Sequence, residues 1–207
     1  MEITNIEVYG LYESIIASGY PMRTDLPDPI LAATGDDKKR AEKLANCKIG
    51  TGHDNFLNGI IVQFDLTAPV KVWTEMQRYH FIDFVSSQST MHRLKDMNLS
   101  LVFDEHTDPR IIEIMKELQA EYKVKAANKE VFGEQVDEAY LRLLLSCPVG
   151  LNLTARMTTN YRQLKTIYAQ RKNHRLPHWH KFCDFIKQLP LSDMITNKAY
   201  EVTLYPS

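Results

Sequence analysis

Cysteine is scarce in this chain, with three among 207 residues, at Cys47, Cys147 and Cys183. An odd number at wide spacing excludes a disulfide framework, and no CxxC pair is present to hold zinc. Long apolar runs are missing too. The longest, around Leu143 to Leu145, is far too short to span a bilayer. The opening MEITNIEVYG carries acids and alternates apolar with polar residues, unlike a secretory leader. Neither sign of charge dominates: 25 Lys+Arg against 26 Asp+Glu gives a formal net charge of -1. That balance excludes a general polyanion binder, so no nucleic-acid partner is expected, but a phosphate pocket needs only a few arginines. There is no internal repeat and no low-complexity tract. These absences together point to a cytoplasmic protein in a reducing setting, without a membrane partner.

What is present suits one globular domain over residues 1–207, since 44% hydrophobic residues can supply a sizeable core. Ile3, Ile6 and Val8 read as a strand broken at Gly10. Residues 21–35, with Pro21, Pro27, Pro29 and Gly35, read as a loop or lid. Asp36-Asp37 suit the start of a polar, solvent-facing helix running to Cys47. Ile60 to Leu66 is β-branched, short and stopped by Ala68-Pro69, which predicts a buried strand. Pro69 then suits N1 of a helix ending near His80. Asp108-Pro109 predicts a helix start, followed by the stripe Ile111, Ile114, Met115, Leu118 and Tyr122. Phe132, Val136, Ala139, Tyr140 and Leu143 predict another helix. Leu151 to Thr158 alternates as a strand and leads into a helix from about Asn160 to Arg171. Leu176-Pro177 opens a last amphipathic helix. The fold class is α+β, with helices around a short central sheet of four to six strands.

Four constellations carry polar chemistry. Gly50-Thr51-Gly52 reads as a turn, because Asn55 stands where a dinucleotide fingerprint needs its third glycine. His174, His178 and His180 cluster, but Pro177 interrupts the i, i+4 spacing and no metal is expected there. Residues 77–93 place Arg78, His80, Asp83, Ser86, Ser87, Gln88, Ser89, His92 and Arg93 together. This is either a polar loop capped by Ser89 or Thr90, or a set of donors to phosphate or a heterocycle edge. Asn160, Arg162 and Arg171 share one predicted helix. Nine helical steps turn the two arginines to opposite sides, toward different ligands or different subunits.

Three of these segments resemble the flavin-dependent thymidylate synthases. Gly52-His53-Asp54, Phe64, Ala68-Pro69 and Arg78 follow that family's glycine–histidine–acid start, strand, and helix leading to its signature. Asn160, Arg162, Leu164 and Arg171 match its later helix, and Trp179 falls one residue late for a family tryptophan. The signature itself is rewritten: Tyr79-His80, Asp83, Val85-Ser86, Gln88 and Thr90-Met91 replace its residues, and Gly59 replaces a histidine. The resemblance implies a thymidylate synthase-like fold and a flavoprotein binding FAD, acting at C5 of a pyrimidine nucleotide. Reductive methylation by a methyltransferase of pyrimidine metabolism, or a related one-carbon transfer, is the implied reaction, with NADPH and a folate donor. It further implies cofactor contacts from Arg78, His80, Asn160 and Arg162. Substrate contacts are implied for Ser87, Gln88, Ser89, His92 and Arg93, with Arg171 binding the pyrimidine edge as the catalytic cation. A homotetramer with sites shared between subunits is implied as well. The alternative is a non-catalytic nucleotide-binding or assembly protein that kept the fold and lost the flavin.

Overall fold

The computed structural model describes residues 1–24, 33–47 and 51–196. Pro27 and Pro29 of the expected loop, and Gly50 of the expected turn, lie outside the described residues. Four strands are present, β1 (Glu2–Tyr9), β2 (Ile61–Pro69), β3 (Ile82–Ser87) and β4 (Asn152–Asn160), paired in the order β1-β2-β4-β3. The described helices are α1 (Leu11–Ala17), α2 (Gly35–Ala45), α3 (Val70–Met76), α4 (Thr90–Arg93), α5 (Pro109–Ala127), α6 (Lys129–Phe132), α7 (Gln135–Leu145), α8 (Tyr161–Arg171), α9 (Pro177–Gln188) and α10 (Asp193–Thr196). None is long and apolar enough to cross a membrane. The chain divides into two compact units, interleaved in sequence. One comprises residues 1–2, 66–78 and 85–156, and the other residues 3–65, 79–84 and 157–207.

In the unit containing α5 and α7, Leu94, Leu99, Met115, Leu118, Leu143 and Leu151 make the buried cluster. The stripe expected on α5 is only half right. Met115 and Leu118 are buried, while Ile111 and Ile114 face outward at 39% and 52% exposure. The register is set instead by Gln119, a buried polar residue whose Nε2 donates to the Leu94 and Met97 carbonyls at 3.0 and 2.9 Å. Asp108 caps α5 as expected, accepting from the Arg110 N–H. The helix expected through Phe132 and Leu143 is broken in two. Gly133 sits at φ 51°, ψ −123°, a conformation only glycine adopts without strain, and α6 ends there. Pro69 also differs from expectation. It ends β2 in extended geometry and precedes α3, because the Val70 N–H still donates to the Leu151 carbonyl in the strand ladder. The helix stops at Met76, short of His80.

In the other unit, Phe64 of β2 meets Phe182 and Phe185 of α9 at ring separations of 5.9 and 4.9 Å. Ile15, Leu57, Ile60, Tyr161, Leu164 and Ile167 complete a fully buried core. Gly10 opens α1 at φ 69°, and a side chain there would strike the Gly59 carbonyl. The polar helix α2 begins one residue before the expected acids, because Thr34 is its cap. Thr34 Oγ1 accepts from the Asp37 N–H, and the Asp37 carboxylate in turn accepts from the Thr34 N–H. Although α2 is polar nearly all round and is expected to face solvent, Ala41 and Ala45 are fully buried, small enough to let that face pack.

Arg40 of α2 reaches back over α1, donating to the Ile15 and Ile16 carbonyls and pairing with Asp37 at 2.6 Å. Hydrogen bonds from Thr34 and then Arg40 hold the Asp37 carboxyl well below its ordinary value. A depressed acid stabilises the fold above its unfolded pKa, and that contribution is lost as pH falls through the lower folded value. Asp37→Ala is therefore expected to cost about 1 kcal/mol at neutral pH by urea denaturation. The deficit should shrink as the pH is lowered below about 4. A deficit that persists undiminished there would mean that the carboxylate charge is not what stabilises the cap.

Candidate functional site

The residues singled out in the sequence fall into three groups. The first lies on β3 and α4. Ser87 ends β3, Ser89 precedes α4 without a side-chain cap bond, and His92 and Arg93 lie on α4 with exposed side chains. Gln88 is held on both sides of Thr154: its N–H donates to the Thr154 carbonyl, and its Oε1 accepts from the Thr154 N–H, each at 3.0 Å. This pairing makes the segment ordered strand and strand-end rather than a free polar loop, and leaves the Gln88 amide NH₂ as its donor. Tyr140 fixes α4 by donating to the Thr90 and Met91 carbonyls. Arg78 lies in the same unit just after α3 and is exposed.

The second group is built around the start of α8. Asn160 is the N-cap, its Oδ1 accepting from the Gln163 N–H at 2.8 Å. Asp54, from the Gly52-His53-Asp54 segment, is buried beneath this turn. Its Oδ2 accepts from Lys165 Nζ at 2.6 Å, and its Oδ1 lies 3.5 Å from Arg162 Nε. Lys165 also donates to the Ala45 carbonyl at the end of α2, at 2.8 Å. The Lys165 side chain is 4% exposed and that of Arg162 is 39% exposed, so one cation is sealed in and the other reaches solvent. Burial pulls the Lys165 ammonium below its usual value, against the opposing hydrogen bond from Asp54. The sequence flagged Asp54 and Arg162 but missed Lys165. Its signal was present, since Arg162 and Lys165 are three apart on one helix and share a face.

The third group lies at the end of α8. Arg171 is buried, with its guanidinium carbon 4.4 Å from the Trp179 ring centroid and 5.4 Å from that of Tyr79. Its Nε donates to the Tyr79 hydroxyl at 2.6 Å. A desolvated guanidinium between aromatic faces gains about 2 kcal/mol from the ring quadrupoles. Arg162 and Arg171 thus take separate partners, as nine helical steps require. His80, in this unit, is exposed and is not drawn into the Arg171 cluster by any of these contacts. His174 Nδ1 accepts from the Leu176 N–H, and His180 Nε2 lies 2.7 Å from the His174 carbonyl, so these histidines organise the entry to α9. Among the described residues no group of three His, Cys, Asp or Glu is placed to hold a metal. Burial pushes the Cys147 and Cys183 thiols up to about 11, which leaves little thiolate at neutral pH.

A side chain at Gly59 would strike the Ser14 hydroxyl, so any larger residue there requires that hydroxyl to move aside.

No protein-family model matches the sequence, and no curated protein matches it either. Solved structures do. A flavin-dependent thymidylate synthase from Helicobacter pylori, complexed with FAD and dUMP, superposes with a TM-score of 0.67 at 12% identity, covering 96% of this chain and 98% of that one. A second structure of the Helicobacter pylori enzyme, again with FAD and dUMP, gives 0.70 at 13% identity, over 97% and 100%. The fold of this chain is therefore α+β and flavin-dependent thymidylate synthase-like across nearly its whole length.

Proposed function

We propose that this protein is a flavin-dependent enzyme acting at C5 of a pyrimidine nucleotide, by thymidylate synthase-like reductive methylation or a related one-carbon transfer. The observation that carries this reading is the near-complete match of its fold to structures holding FAD and dUMP, joined to arginines retained on α8. The donor set suits a phosphate-bearing cofactor. Arg162 Nη1 and Nη2 hydrogen-bond to none of the described residues, and Asn160 positions the helix start at which that guanidinium emerges. Arg78 and His80 are exposed donors that complete the cofactor assignment. A bound flavin supplies hydride chemistry; the protein's own part is to bind and polarise.

In this reading Arg171, oriented by Tyr79 and Trp179, meets the pyrimidine edge. A fixed cation there favours negative charge developing on the ring, and it is preorganised because its aromatic partners already hold it. Ser87, Gln88, Ser89, His92 and Arg93 contribute donors to the nucleotide phosphate. No cysteine nucleophile is needed, in keeping with two thiols that burial keeps protonated. Sites shared between subunits of a homotetramer, with NADPH and a folate donor, complete the proposal.

The test is a visible absorption spectrum after incubation with FAD and desalting. Flavin bands retained at about one per subunit are expected, and Arg162→Ala should lose them while its melting temperature stays near that of the flavin-free wild type. A wild-type protein that stays colourless overturns the flavin assignment. One observation favours the second reading, a nucleotide-binding relative without flavin: Tyr79, at a rewritten position of the signature that the resemblance assigns to flavin, has its hydroxyl engaged by Arg171 Nε. That reading predicts no colour but a thermal shift on adding dUMP, because a ligand of the native state stabilises it.

A further inference from the structure

At the start of α8, Lys165 and Arg162 both approach the Asp54 carboxylate. Lys165 and Asp54 are sealed from solvent, so the surplus positive charge resides on Arg162, the member that reaches the surface. The carboxylate also divides its oxygens, Oδ2 taking Lys165 at 2.6 Å and Oδ1 standing 3.5 Å from Arg162 Nε. The short contact belongs to lysine, and arginine is held only loosely by its Nε edge. A lone buried aspartate beside an arginine would draw it into a two-pronged pair, because that geometry satisfies both oxygens at once. Lys165 prevents this by occupying Oδ2.

We propose that Lys165 is a positioning residue, which neutralises Asp54 and thereby keeps the charge and the Nη edge of Arg162 available to an anionic group of the ligand. The inference deepens the functional reading above and rests on it for the identity of that ligand, a phosphate-bearing cofactor. Lys165 itself never touches the ligand. It acts through Asp54, and its bond to the Ala45 carbonyl keeps the ammonium aimed at that carboxylate.

The experiment compares wild type, Lys165→Met, Lys165→Gln and the double variant Asp54→Asn/Lys165→Met. Retention of FAD after desalting is one readout. The other needs no cofactor: the rate at which an arginine-directed dicarbonyl reagent modifies Arg162, followed by peptide mass spectrometry. In Lys165→Met, both are expected to fall about tenfold, the scale of one charge-assisted hydrogen bond gained by Asp54 and lost to the ligand or reagent. The double variant removes the competing carboxylate, so labelling of Arg162 should return to near the wild-type rate. A merely structural lysine would not produce that recovery. Lys165→Gln, which keeps a donor toward Oδ2 but removes the charge, should show a smaller fall in the same direction.

Labelling at the wild-type rate in a folded Lys165→Met or Lys165→Gln overturns the proposal, as does failure of the double variant to recover. Failure of both single variants to fold would make the lysine structural and overturn it as well. If wild type retains no FAD while labelling follows the expected pattern, the cofactor reading fails and the positioning role stands.

Discussion

Trp179→Ala should lower the free energy of unfolding by about 3–5 kcal/mol, the range for deleting a large buried aromatic. Trp179 is fully buried on α9 and packs edge-on against Phe182 at 5.7 Å and Tyr79 at 6.1 Å. It also forms one face of the slot that holds the Arg171 guanidinium. Alanine removes the ring from the core and, with it, the aromatic compensation for burying a cation. The two losses fall on one site, so relaxation of the surrounding side chains cannot offset both. Trp179→Phe keeps a ring at smaller volume and should cost much less, about 1–2 kcal/mol. The outward-facing Ile114 on α5 supplies the contrast, with Ile114→Ala changing stability by about 0.5 kcal/mol or less. Urea denaturation of the three variants checks the order. A Trp179→Ala loss below about 1 kcal/mol would mean that the site collapses freely around the missing ring, and that Arg171 is not held by aromatic packing.

Much of the fold was legible because local chemistry announced it. Asp108-Pro109 capped α5, Asn160 capped α8, and Leu176-Pro177 opened α9, each where a side-chain acceptor or a fixed φ makes a helix start. The β-branched run from Ile60 marked β2 for the same reason of local preference. What could not be read depended on partners distant in sequence. β3 is an edge strand with Ser86, Ser87 and exposed Phe84 and Val85, so it lacks the one-sided alternation that identifies a strand. It pairs with β4, and the residues flanking it are bound there as well, Gln88 to Thr154 and Phe81 to Thr159, whose hydroxyl donates to the Phe81 carbonyl. Gly133 could have been either a tolerated helical glycine or a break, and its positive φ decides for the break.

The site shows the same division. Arg162, Arg171 and Asp54 were recognisable from spacing against a family pattern. Their partners were not, because Lys165 lies 111 residues from Asp54 and Tyr79 lies 92 from Arg171. Tyr79, which the resemblance reads as a departure, has a physical role of its own: its hydroxyl accepts a hydrogen bond from Arg171 Nε and so fixes the position of that arginine.

The second large effect concerns the buried ion pair. Asp54→Ala should cost about 3–5 kcal/mol at neutral pH, because it strands the buried Lys165 ammonium without the carboxylate that compensates its charge. Replacing the whole pair, as Asp54→Leu/Lys165→Met, should cost far less than the single change, since two apolar groups need no compensation. The pH dependence gives the diagnostic sign. Burial already lowers the Lys165 pKa in the folded protein, and loss of Asp54 lowers it further. Between that folded value and the unfolded value of about 10.4, the unfolded chain binds the extra proton. Stability must therefore rise with pH across this window, and the window reaches lower in Asp54→Ala than in wild type. Urea denaturation from about pH 6 to about pH 9 should show the deficit of Asp54→Ala shrinking as the pH increases. A deficit that is constant over that range would mean that loss of Asp54 leaves the protonation state of the folded Lys165 unchanged, and would place the cost in lost contacts rather than in a shifted charge.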